Sequence, residues 1–199
     1  MKIKKIQKIE NDSNRYDISV EDNHNFFANG MLVHNCTMYN DYIHARSLAD
    51  KKHWSKSWVK NFHGGMAHDI PEDMRFVVEN MYAKHSILYK DLESYCYGIS
   101  VWNNLTCLDW DATNEWFQLF GIPMVPVMYR GIWDEAKIRE LYKPTVNGQD
   151  CEGYVVRLTS SFHYKDFSRS VAKFVRKGHV TANEHWFFGN AGEINLLKS

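Results

Sequence analysis

Residues 16–36 read YDISVEDNHNFFANGMLVHNC, and the last three of them decide how the chain is divided. The side-chain amide of Asn35 can attack its own backbone carbonyl, close a five-membered succinimide and break the peptide bond to Cys36. That reaction is slow unless a neighbour polarises the carbonyl or moves a proton, and His34 is the residue type that titrates near neutrality. Cys36, directly after the bond, carries the best side-chain nucleophile near neutral pH. Alone, the trio also fits an ordinary loop. The preceding residues give it a frame. Tyr16 to Val20 alternates as a strand does, and Glu21-Asp22-Asn23 is turn chemistry. His24 to Ala28 can re-enter a strand, Asn29-Gly30 is a hairpin turn signal, and Met31-Leu32-Val33 runs apolar and extended into His34.

This pattern resembles the C-terminal splicing motifs of inteins. The shared features are an Asp in the first strand, a His in HNF, an NG turn, and His-Asn ahead of the nucleophile. The resemblance implies that residues 1–35 are the C-terminal fragment of a split intein, with the junction at Asn35–Cys36. Asp17 and His24 would tune Cys36 and the proton transfers. His34 would assist cyclisation of Asn35, and Cys36 would open the C-terminal extein. A splicing-competent intein needs a Cys-led opening segment to form its first thioester. The chain starts at Met1 without one, so the expected partner is a separately encoded N-terminal fragment, and the expected reaction is splicing in trans that excises residues 1–35. A β-hairpin with incidental polar residues is the plain alternative. Residues 2–8 (KIKKIQK) alternate Lys with Ile as a strand with one solvated face would. In the intein pattern such a basic strand would steer toward an acidic partner.

The 199 residues fit one or two domains, and 44% hydrophobic with 15% aromatic residues suffices for a packed core. The formal net charge is zero, which argues against a histone-like binder but leaves room for a local basic groove. Cys36, Cys96, Cys107 and Cys151 form no CxxC, so they read as reduced and the chain as cytoplasmic. The N-terminus lacks the apolar core of a signal peptide, and no apolar run reaches membrane-spanning length.

Further along, residues 37–47 read as a hairpin around Asn40-Asp41, and 54–62 carry aromatic and aliphatic residues at helical spacing. His63, His68 and Asp69 fit no strong metal template and read as structural. Residues 74–82 and 94–103 read as strands. Residues 111–120 read as a helix with an Asp cap, its Trp116, Phe117 and Phe120 in the core and Gly121 after it. Residues 134–142 read as a second Asp-capped helix, and 152–158 (EGYVVRL) and 170–176 (SVAKFVR) as short strands. The segment after Gly178 has no clear pattern.

Glu79, Glu152 and Lys173 are lone charges in apolar strands, where burial unpaired is expensive. Each alone suits a sheet-edge ion pair. In order, they resemble the nucleotidyltransferase motifs of ATP-dependent RNA ligases, over nearly all of residues 36–185. Arg46 lies in IHARS, Glu79 in VENMYAKHSI, Glu152 in EGYVVR and Lys173 in KFVRK, with Tyr97 to Asn103 like the segment that stacks on adenine. EGYVVR followed by KFVR is the most specific element. The resemblance implies lysyl-AMP formation from ATP, passage of AMP to an RNA 5′-phosphate, and its displacement by a 3′-hydroxyl. Lys173 would hold the α-phosphate, with Arg176 or Lys177 nearby. Glu152 would bind Mg²⁺, Arg46 would contact the nucleotide or the RNA end, and Glu79 would accept from ribose. Ile99 stands where relatives place the stacking aromatic, so either Tyr97 substitutes or apolar contact holds the base.

No Lys-x-Asp-Gly, the tetrapeptide of the nucleophilic lysine, occurs anywhere in the chain. In relatives it comes just before the residues matching Cys36-Thr37. The expectation is a precursor inactive as a ligase until splicing supplies that motif, in a ligase of phage type acting on RNA, with no membrane partner. A DNA ligase or capping-type nucleotidyltransferase fragment stays open, as does a non-catalytic nucleic-acid-binding module. The expected fold is α+β. An incomplete all-β, Hint-type fragment (1–35) precedes the C-terminal part of a nucleotidyltransferase domain (36–199), built of antiparallel sheets with flanking helices.

Overall fold

The computed structural model describes residues 3–9, 15–20, 27–28, 31–32, 36–44, 54–84, 87–143, 145–146, 149–151, 153–175 and 193–199. The chain divides into two compact units, Met1–His34 and Asn35–Ser199. In the first, β1 (Ile3–Ile9) pairs antiparallel with β2 (Arg15–Val20), with a register irregularity between Ile3 and Lys5. Two short strands follow, β3 (Phe27–Ala28) and β4 (Met31–Leu32). Ala28 pairs with Met31, so only Asn29-Gly30 separates the paired residues, the two-residue connection that Asn-Gly favours.

The second unit is built on a six-stranded antiparallel sheet. Its strands in chain order are β5 (Cys36–Met38), β6 (Ile43–His44), β7 (Met74–Asn80), β8 (Cys96–Asn103), β9 (Thr106–Cys107) and, later, β13 (Phe162–His163). The spatial order is β13-β9-β8-β7-β5-β6, with β7 and β8 at the centre. Helix α1 (Trp54–Gly64) lies between β6 and β7 in sequence, and α2 (Trp110–Leu119) follows β9. After these come α3 (Glu135–Leu141), the β10 (Thr145–Val146) and β11 (Gln149–Asp150) pair, β12 (Gly153–Arg157), α4 (Phe167–Ser170) and β14 (Val171–Val175). β12 and β14 form a separate two-stranded antiparallel ribbon.

Period-two alternation decides which sheet face meets the helices. Met74, Phe76 and Val78 of β7 are buried, as are Cys36 and Met38 of β5 and Cys96, Gly98 and Val101 of β8. They form one core with Val59 of α1 and Phe117 of α2. Phe76 meets Trp116, Phe117 and Phe120 edge to face at 5.8, 5.5 and 5.0 Å, the geometry aromatic quadrupoles favour. The expected core role therefore holds for Trp116 and Phe117 of α2 and for Phe120 at its C-cap. The helix begins earlier than the sequence suggests. Its cap is Asp109, which accepts from the Ala112 N–H at 2.9 Å, while Asp111 sits in the first turn. There Asp111 forks with Arg130 at 2.7 and 2.8 Å, which holds its carboxyl below the usual range. Capping is a local competition between nearby Asp residues, and Leu108-Asp109-Trp110 does not reveal which one wins. The Asp134 cap of α3 is as expected. His63 is buried, with Nε2 2.5 Å from the Tyr39 carbonyl oxygen, a structural role.

The C-terminal residues 193–199 were without pattern in the sequence, yet they are stitched to residues 82–92. Asn195 N–H donates to Tyr82 O, Leu196 N–H to Tyr89 O, Leu92 N–H to Leu196 O and Lys198 N–H to Leu92 O, at 2.8–3.1 Å. The Asn195 side chain is 1% exposed. Its amide NH₂ donates to Met81 O (2.7 Å) and Ala83 O (3.2 Å), and its Oδ1 accepts from Tyr89 N–H (2.9 Å). Asn195→Ala strands these buried backbone groups. It should cost about 1–3 kcal/mol, read as a lower urea midpoint; an unchanged midpoint would show the strap to be dispensable.

Candidate functional site

The sheet face opposite α1 and α2 carries a small second core, in which Trp102, Cys107 and Phe162 pack with Phe167 of α4. On β7 it presents Arg75, Val77 and Glu79, alternating with the buried Met74, Phe76 and Val78. Glu79 is the register partner of Tyr97, and Val77 of Ser100. A bulge lies between Val77 and Val78, leaving Ile99 as the extra residue of β8. Glu79, Tyr97 and Ile99 are all half-buried. Direct cross-strand partners have Cβ atoms about 5 Å apart, so the fold brings a carboxylate beside a phenol ring. The Tyr97 hydroxyl accepts from the Glu93 N–H at 2.9 Å, which ties the ring to the strand entry. A partly desolvated carboxylate next to an aromatic and an aliphatic side chain suits a ribose hydroxyl and a base.

Lys173 is central in β14, opposite Val155, and both are exposed. This corrects the expectation of a buried charge. Both faces of this two-stranded ribbon have exposed residues, Val155 and Lys173 on one and Ala172 and Phe174 on the other, so Lys173 carries little burial cost and its ammonium is available to a ligand. Arg157 lies on the same ribbon face, since its register partner is Val171, two residues from Lys173. The Arg157 guanidinium lies over Trp110 and Phe162 and donates to Leu108 O, which ties β12 to the start of α2. Asp17 falls in β2, but its side chain lies outside the described residues, as do His24, His34, Asn35, Arg46, Glu152, Arg176 and Lys177.

Cys36 opens β5, pairs with Val78 and is 8% exposed. None of the four cysteines is in a disulfide. Burial pushes the Cys96 thiol strongly up, with smaller contributions from Cys36 and Glu79. Burial also raises Cys107, and Arg157 and Arg75 pull it back. A thiol reagent should therefore modify half-buried Cys151 in the native protein and reach Cys36, Cys96 and Cys107 only on unfolding. Equal labelling of all four would contradict the packing. Because the folded Cys96 pKa is raised, its contribution to stability is intact below the ordinary thiol value of 9.0 and declines as pH rises above it.

Among the described residues no group of three His, Cys, Asp or Glu could hold a metal ion, and no helix is long and apolar enough to cross a membrane. The arginines Arg75 and Arg157 were not singled out from sequence. The available signal was Arg75 four residues before Glu79 in one alternating strand, which places both on one face.

Comparison with curated proteins and with solved structures returned no match. A model of the RNA ligase family matches residues 22–175, beginning inside the stretch that resembles an intein and ending at the last residue of β14. That match covers most of the chain and both ribbon strands bearing GYVVR and KFV, and the chain belongs to the RNA ligase family.

Proposed function

We propose that this chain is a trans-splicing precursor of an ATP-dependent RNA ligase. Residues 1–35 excise themselves, and Cys36 is joined to a separately encoded N-terminal extein that ends in Lys-x-Asp-Gly. The observation that carries this reading is the position of His34-Asn35-Cys36: it lies at the junction of the two compact units, and Cys36 begins the first strand of the ligase sheet. The family match starts upstream at residue 22, but the strands of that sheet start at Cys36.

The splicing step moves an acyl group from the upstream thioester onto the Cys36 sulfur. Asn35 then cyclises, with a proton moved by His34, releasing residues 1–35 as the succinimide. The acyl group shifts from sulfur to the freed Cys36 amine. Because the Cys36 thiol is buried once β5 is paired with Val78, the transfer proceeds while β5 is undocked.

In the joined ligase the incoming lysine attacks the α-phosphate of ATP and pyrophosphate leaves. Glu79 accepts from a ribose hydroxyl, and Tyr97 with Ile99 forms the wall for adenine. Lys173, exposed on its ribbon, neutralises the α-phosphate; Arg176 and Arg46 are assigned by resemblance to the phosphate and the RNA end. Mg²⁺, with Glu152 as its proposed ligand, would neutralise phosphate charge. AMP passes to the RNA 5′-phosphate, and the 3′-hydroxyl of the second end displaces it.

The test is intact mass. This chain is mixed with the N-terminal half of a related split intein bearing a short test extein. The expected product joins that extein to Cys36–Ser199 and releases residues 1–35. Failure with several halves, and no cleavage after Asn35 under thiol, would favour a non-catalytic module. Self-adenylation of the unspliced chain would overturn the dependence on splicing.

A further inference from the structure

Two cations that the proposed ligase chemistry does not use, Arg75 of β7 and Arg157 of the β12 ribbon, meet at the small core on the sheet face opposite α1 and α2. Arg75 lies 4.7 Å from the Trp102 ring centre, and Arg157 lies 5.5 Å from that of Phe162. Trp102 and Phe162 meet edge to face at 5.7 Å, so both guanidinium groups rest on one aromatic floor.

Neither arginine is paired with a carboxylate among the described residues. Arg157 is anchored: its Nε donates to Leu158 O and an Nη to Leu108 O, each at 3.0 Å. Arg75 is not. It donates from Nη1 to Asn104 O at 2.5 Å, while its Nε is buried without a partner. A guanidinium has five N–H donors in a planar fork, so most of this half-buried cation's hydrogen-bonding capacity is unused. The side chain is held by its aromatic stack, and what it lacks is an acceptor.

The strand register extends the positive charge toward the ribbon. Arg157 and Lys173 are diagonal neighbours on one face, about 7–8 Å apart at Cα. Arg75 lies on the same face of β7 as Glu79, about 13 Å along the strand. Trp102 and Phe162 are themselves buried, so the rings orient the arginines, and a planar guanidinium not paired with a carboxylate is the group whose fork takes phosphate oxygens.

We infer that Arg75, with Arg157 beside it, forms a phosphate-binding subsite for the RNA strand whose end is handled at Lys173. The inference rests on the proposed role of Lys173, but the subsite is complete within this chain and does not depend on splicing.

The experiment measures anisotropy of a short labelled 5′-phosphorylated single-stranded RNA against the 199-residue chain over a range of salt concentrations. Arg75→Gln should weaken binding roughly tenfold and flatten the log affinity–log salt slope by about 0.7. Arg75→Lys should keep the slope and recover part of the affinity. Unchanged affinity and slope in Arg75→Gln would overturn the inference, as would no RNA binding by the parent chain. A parallel titration with ATP separates the two phosphate sources: a loss confined to ATP overturns the RNA assignment. Should Arg75→Gln fail to fold, the Arg75 Nε–H resonance of the parent chain serves instead. It should shift on adding RNA, and a resonance that stays put at saturation overturns the subsite. Failure of these measurements leaves the mass test of splicing untouched, and the reverse holds.

Discussion

Mixed with a matching N-terminal half, the Asn35→Ala chain should release no free 1–35 fragment and form no mature joined product. Alanine has no amide to attack the backbone, so the bond after residue 35 stays intact. In the proposed reaction the earlier steps use Cys36 and need no side chain at 35. A branched species should therefore accumulate, its mass that of this chain plus the test extein. His34→Ala should slow release rather than abolish it, by roughly 10²–10⁴, the usual contribution of a positioned general acid or base. Cys36→Ala should show the reverse pattern, cleavage after Asn35 without joining. Mature joined product from Asn35→Ala would sink the splicing assignment.

Gly98→Ala should destabilise the ligase unit by about 1–3 kcal/mol, the usual range for overpacking a close-packed core. A Cβ on residue 98 would lie 2.5 Å from Cγ and Cδ2 of Phe117 and 2.7 Å from Cε2. The ring has little room to retreat, because Phe117 is fully buried and meets Phe76 edge to face. The backbone has little either: Gly98 N–H donates to Pro123 O at 2.8 Å, and its carbonyl accepts from Val125 N–H at 3.0 Å. Both restraints argue for the upper end of that range. Urea unfolding should show a lower midpoint with an unchanged slope. Phe117→Leu placed on Gly98→Ala should cost less than on the parent, since the leucine side chain vacates part of the contested space. A parent-like midpoint for Gly98→Ala would mean that the sheet and α2 are not packed this closely.

The strands and helices that position the site were legible because their signals are local. Alternation in MRFVVEN and SYCYGISVWN marks β7 and β8, and Trp116, Phe117 and Phe120 at helical spacing mark the buried side of α2. The direct pairing of Glu79 with Tyr97 was not legible, because a register between strands is set by the contacts of both whole strands and here includes a bulge. Lys173 was misjudged for a related reason. KFV reads as an apolar strand, and only the sheet topology shows that β14 has one partner and leaves Lys173 exposed. The cap at Asp109 was lost to a local competition two residues wide. The Asn195 strap was invisible, since nothing in NAGEINLLKS announces that its partners lie more than 100 residues upstream.

By itself, the sequence determined the chemistry on offer. It holds an Asn before a Cys with a His beside them, ordered lone charges in apolar strands, and no Lys-x-Asp-Gly. It also determined the longer elements, β7, β8, α1 and α2, since those depend on spacing along the chain. Tertiary structure alone decided exposure and neighbourhood: the burial of Cys36 in β5, the exposure of Lys173, and the aromatic floor beneath Arg75 and Arg157. Each of these depends on which strand lies next to which and which face is covered. Those outcomes are set by the packing of the whole unit, because burial and pairing energies are shared among residues far apart in sequence.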